Sequence, residues 1–141
     1  MKHRMIGYLI PLIILLGACA APPTQPPATP TPASPPTADV PFGDLMTAPA
    51  TYAGQDICTN GVYLSSFEVE ALGQDTVERD GALYLTEPAI WLERAQIEAE
   101  PNCTEVGTPP AKFCPARVCG RFDYGGQYGH LNGWSYRIAG K

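Results

Sequence analysis

The chain has 141 residues, 45% of them hydrophobic, with five Cys, two His and a formal net charge of −5. That leaves room for one small domain and none for a multidomain enzyme or a dinucleotide-binding domain with a separate substrate domain. Polytopic membrane proteins are excluded as well. In chain order, Met1 to Arg4 is basic, Met5 to Leu16 carries no charge, and Gly17 and Ala18 precede Cys19. A basic n-region, a short apolar h-region and a small-residue cleavage site make residues 1–18 a signal peptide. The uncharged run, interrupted by Pro11, would rise roughly 18 Å as a helix against a hydrocarbon core of roughly 30 Å, too short for a permanent span.

The four residues Leu16-Gly17-Ala18-Cys19 resemble the lipobox of bacterial lipoproteins, an aliphatic residue and two small ones before the modified Cys, and all four positions match. The resemblance implies that Cys19 becomes a thioether-linked diacylglycerol and that its freed amine is often acylated too. Two or three buried chains anchor stably where one binds reversibly. The expected location is the cell membrane or envelope, lipid-anchored and extracytoplasmic. Ala20 follows, so the Asp that retains many lipoproteins at the inner membrane of double-membrane bacteria is absent. Removing residues 1–18 takes away Lys2 and Arg4 but no acid, so 7 basic and 14 acidic residues leave the mature chain at −7. Such a balance opposes binding to nucleic acid and to anionic headgroups, and the N-terminal lipid is the expected membrane contact.

Residues 19–40 read as the lipidated Cys and a disordered Pro/Thr/Ala linker. Eight of the nineteen residues from Ala20 to Ala38 are Pro, with no aromatic and no charge, a composition that cannot pack a core. As polyproline II it would span on the order of 60 Å. A stalk through cell-surface polymer and a plain solubilising linker both fit. The domain is expected over residues 41–141, where aromatic and β-branched residues appear.

Asp44 to Ala53 predicts one short helix, with Asp44 as cap and Pro49 ending it. Asp56 to Leu64 predicts a strand whose central Gly61 marks a bulge or bend. Phe67 to Leu72 alternates apolar and polar as a half-buried strand does, and Asp80-Gly81 turns the chain into Ala82–Thr86 as its hairpin partner. From Glu87 a strand is expected through Leu92, then a turn or short helix. A loop carrying Cys103 and Cys114 runs from Pro101 to Pro115. Two more strands follow, Ala116–Tyr124 with Ala116, Val118, Gly120 and Phe122 on one face, and Trp134–Ile138.

Five strands, a bent first strand and an irregular connection between the third and fourth resemble the OB-fold, a small five-stranded Greek-key barrel. The domain is similar to small uncharacterised lipid-anchored OB-fold domains of bacteria, in which a Val-x-Gly-x-Phe strand, here Val118, Gly120 and Phe122, ends in a Gly- and Tyr-rich turn. The expected class is all-β with one short helix. An immunoglobulin-like sandwich is the rival, with too few strands for the usual seven.

Four Cys remain after Cys19, an even number that implies two disulfides in an exported domain, with three possible connectivities. Cys114 and Cys119, with four residues between them, have zinc-like spacing, but Cys58 and Cys103 are isolated and no Cys-x-x-Cys suggests redox work, so neither metal nor cofactor is expected. In an OB barrel the first strand pairs with the fourth. That resemblance sets Cys58 against Cys119, each one position from an inward apolar residue, and leaves Cys103 to Cys114.

No nucleophile elbow, metalloprotease motif or phosphate loop is present, and no catalytic residue is assigned. Tyr124, Tyr128, His130 and Trp134 bring four rings into an eleven-residue, glycine-rich stretch. They form either a contact surface for an envelope protein, a peptide or a glycan, or the plug of the barrel end. The function read from the sequence is a noncatalytic binding or scaffold module. The alternative is a small envelope hydrolase using His130 with a carboxylate.

Overall fold

The computed structural model describes residues 37–141. The signal-like opening, Cys19 and the proline-rich stretch through Pro36 lie outside the described residues. The fold is all-β with two short helices.

The domain begins inside the stretch expected as linker. β1 (Ala38–Asp39) pairs in parallel with β2 (Asp56–Ser66), Asp39 standing opposite Cys58. Arg117 locks it there, donating to the Asp39 carboxylate at 2.7 Å. Two helices replace the single one expected: α1 (Phe42–Thr47) and α2 (Pro49–Tyr52). Asp44 lies in the first turn of α1 and makes no cap bond, since the chain enters through Pro41. Pro49 starts α2 instead of only ending α1, because its missing N–H costs nothing at a first helical position. Phe42 and Leu45 turn inward from α1 and cover the main core.

β2 turns back into β3 (Val69–Gly73), which pairs with β6 (Ile90–Glu93). Phe67 lies outside the strand predicted for it, because the reversal consumes Phe67 and Glu68. Between β3 and β6 stands a separate ribbon of β4 (Thr76–Arg79) and β5 (Ala82–Leu85). Asp80-Gly81 makes its turn with φ of +53° and +75°, as expected, yet joins β5 to β4 and not to the Phe67–Leu72 segment. No helix follows β6. The chain turns at Arg94 into β7 (Gln96–Ala99), and the expected loop contains β8 (Thr104–Val106) and the start of β9 (Ala111–Tyr128). Both β7 and β8 pair with β9. β10 (Trp134–Ala139) closes the chain, antiparallel to β9 and parallel to β6.

Five pairings run in a circuit: β2 to β3, β3 to β6, β6 to β10, β10 to β9, and β9 back to β2. Their inward residues, Ile57, Leu72, Ile90, Leu92, Val118, Phe122 and Ile138, make up most of the main core. At roughly 1.5–3 kcal/mol for each fully buried side chain, this cluster is the principal source of stability. A second cluster, Ala71, Leu85, Ala89 and Phe113, seats the β4–β5 ribbon. Gly61 marks no bulge, since its pairing with Ala116 is in unbroken register. It marks a close crossing, where a Cβ would press on Leu72 Cγ at 3.1 Å and on the Gly73 carbonyl oxygen.

Candidate functional site

Two turns meet at one end of the circuit. β2 reverses into β3 through Phe67 and Glu68 alone, Ser66 pairing with Val69. So tight a reversal puts Glu68 at φ +59° and leaves Phe67 77% exposed. β9 reverses into β10 through Gly129–Gly133. Gly129 has φ +67°, and a Cβ there would collide with the indoles of Trp91 and Trp134, so the turn lies directly on those two rings. Their centroids are 5.7 Å apart at 48°. Beyond it Leu131 and Asn132 also have positive φ, +58° and +57°, and Leu131 is 86% exposed. His130 Nδ1 stands 3.7 Å from Glu68 Oε2 and joins the two turns. Phe67 and Leu131 are the chain neighbours of that pair.

The energetics of this pole are unusual. A left-handed Leu costs roughly 1–2 kcal/mol relative to the right-handed region, and an exposed one recovers nothing by burial. Of the five non-glycine residues with positive φ among the described residues, three are here: Glu68, Leu131 and Asn132. Strain of this kind persists where the surroundings over-determine it, and it collects at sites of contact and chemistry.

The four rings expected as a surface divide. Trp134 is half-buried against Trp91 and the second core cluster, where it supports the turn above it. Tyr128 is also half-buried, its ring 4.8 Å from the Arg137 guanidinium. Arg137 in turn donates to Glu93 and Asp123, each at 2.8 Å. The bond to Asp123 raises its pKa above the ordinary arginine value, against the opposing effect of burial. Tyr124 is 42% exposed and His130 lies open at the pole. Two residues thus carry the surface reading, and two serve as its foundation. Between Tyr124 and Tyr128 β9 runs three residues where β10 has Ser135 alone, so the ladder bulges under these rings.

Cys58 is bonded to Cys119 directly across the β2–β9 ladder, their Cα atoms 4.1 Å apart. Cys103 is bonded to Cys114 across the β8–β9 hairpin, with Cα atoms 4.3 Å apart. Both bridges staple the scaffold and neither lies in the turns of the pole. Among the described residues no three His, Cys, Asp or Glu side chains converge as a metal site.

Compared with family models, curated proteins and solved structures, the chain matches none.

The sequence reading missed Phe67, Glu68 and Leu131. A signal for Leu131 was present: Gly129-His130-Leu131-Asn132-Gly133 is turn composition, and a large aliphatic residue inside it has no core to enter. Phe67 was masked by the alternation of the residues after it. His130 and Glu68 are the His and carboxylate that a hydrolase would need. Both are about half exposed, so water screens their interaction, and His130 makes no side-chain hydrogen bond to a hydroxyl or thiol among the described residues.

Proposed function

We propose that the chain is a lipid-anchored extracytoplasmic bacterial protein whose β domain is a noncatalytic binding module, with the Phe67–Glu68 and Gly129–Gly133 turns as its contact surface. We further propose that the five-strand circuit is an OB-type barrel. Support for the barrel comes from the pairing of its first strand with its fourth and from the return of the pairings to their starting strand. In OB barrels the loops joining strands one to two and four to five commonly bind ligand, and those are the two turns that meet through His130 and Glu68. The observation that carries the function is Leu131, exposed and left-handed at once. Anchoring rests on the lipobox-like Leu16-Gly17-Ala18-Cys19 and on two disulfides, which suit an oxidising compartment.

Two experiments test this reading. Incorporation of labelled palmitate is expected in the native chain and absent from Cys19→Ala; label retained by that variant removes the anchor assignment. For the surface, a photoreactive phenylalanine is placed at Phe67, at Leu131 or at the exposed Tyr84 of the ribbon. Adducts specific to the first two positions are expected in cells, and lost when the other apolar residue of the pair is changed to Ser. Adducts from Tyr84 alone would move the surface elsewhere.

A further inference from the structure

The parallel ladder between β10 and β6 begins only at Arg137 opposite Trp91. Running that register back sets Trp134, Ser135 and Tyr136 against Pro88, Ala89 and Ile90, yet these are not paired. The two strands diverge instead, and the gap is a cavity of about 360 Å³ lined by Glu87, Pro88, Ala89, Gly133, Trp134, Ser135 and Tyr136. Pro88 contributes to the divergence because it has no amide N–H to offer a ladder. On the β9 side Ser135 has no register partner either. One edge of β10, three residues long, therefore has no strand partner among the described residues. An unpartnered edge is a template for another strand.

We infer that this slot is a binding site for an extended, cationic peptide segment of another protein, which adds as a short strand to the Trp134–Tyr136 edge. The inference goes beyond the contact surface at the turns and does not depend on it. Three features select the ligand. The alternate main-chain groups that a strand turns toward one edge, left without a β6 partner beside Trp134–Tyr136, match the donors and acceptors of an extended peptide, whose backbone supplies affinity while pockets read its side chains. Trp134, Tyr136 and Ala89 give those pockets aromatic and apolar walls. Glu87 is the one charged residue among those lining the slot, Arg79 standing with it on the adjoining pocket beyond Ala89 and Trp134, so Lys or Arg is favoured beside the apolar anchor. The chain's own residues 22–36 are poor occupants: eight of those fifteen are Pro and cannot donate to a ladder.

The test uses the full chain with its disulfides intact, and a display library of random twelve-residue peptides. Enriched peptides are expected to carry an aromatic or aliphatic anchor and a net positive charge. Binding weakens by roughly tenfold in Glu87→Lys. An N-methyl scan of the best peptide supplies the deciding readout without altering the protein: loss of about tenfold at every second residue, with tolerance between, is the signature of strand addition. Methylation tolerated throughout, enrichment of acidic peptides, or no enrichment would each overturn the inference. So would peptides whose binding is lost in Phe67→Ser or Leu131→Ser but unchanged in Glu87→Lys, and that result would leave the binding-module reading intact. Capture of an oligosaccharide by the same walls, with no peptide competing, would overturn it as well.

Discussion

β2 and β9 are built differently at their two ends. From Asp56 to Ser65 they share ten paired residues, bury Ile57, Val118 and Phe122 completely, and are crosslinked between Cys58 and Cys119. A few residues on, the turn that follows each strand exposes a large apolar side chain, Phe67 after β2 and Leu131 after β9. The first region follows the rules of stable packing apart from the unpartnered Thr59 hydroxyl, and the second breaks two of them, leaving apolar surface in water and Leu131 in left-handed backbone. Exposed apolar side chains and left-handed backbone gathered together at one pole suit a contact surface on a rigid scaffold.

Substitutions sharpen the contrast. Phe122→Ala, in the centre of the scaffold, is expected to cost about 4 kcal/mol in chemical denaturation, through lost burial and the cavity left behind. Replacing Cys58 and Cys119 together by Ala should cost about 4 kcal/mol, against about 3 kcal/mol for Cys103 and Cys114, because the chain closed by the first bridge is longer, 61 residues of separation against 11. Equal losses would show that strain or residual structure dominates over loop closure. Thr59 is the exception inside the scaffold: it is 1% exposed and its hydroxyl has no hydrogen-bond partner. Thr59→Val should therefore raise stability by about 1 kcal/mol, and a loss in the same denaturation assay would mean that the hydroxyl is satisfied in solution.

How far the sequence could be read follows the same division. The inward face of Ala116, Val118 and Phe122 and the reach of the last strand were legible because period-two alternation survives wherever one face is buried. Cys58 opposite Cys119 followed once the first strand was set against the fourth. The ribbon was not legible: Thr76–Arg79 is polar, and only tertiary contact separates it from a loop, so β5 was given the wrong partner. β7 and β8 are short edge strands held by β9, and their own residues carry little strand signal. At the pole, the turn at Gly129 was visible from its composition. That Trp134 would lie beneath it and Leu131 outside it depended on which side of the turn meets the sheet.

The claim that the pole serves contact and not folding is tested most directly by the denaturation free energy of Leu131→Gly. Glycine relieves the left-handed conformation and removes a side chain that is 86% exposed, so stability is expected to be unchanged or raised by about 1 kcal/mol. A loss of more than about 1 kcal/mol would contradict it, because Leu131 would then be stabilising the fold through packing.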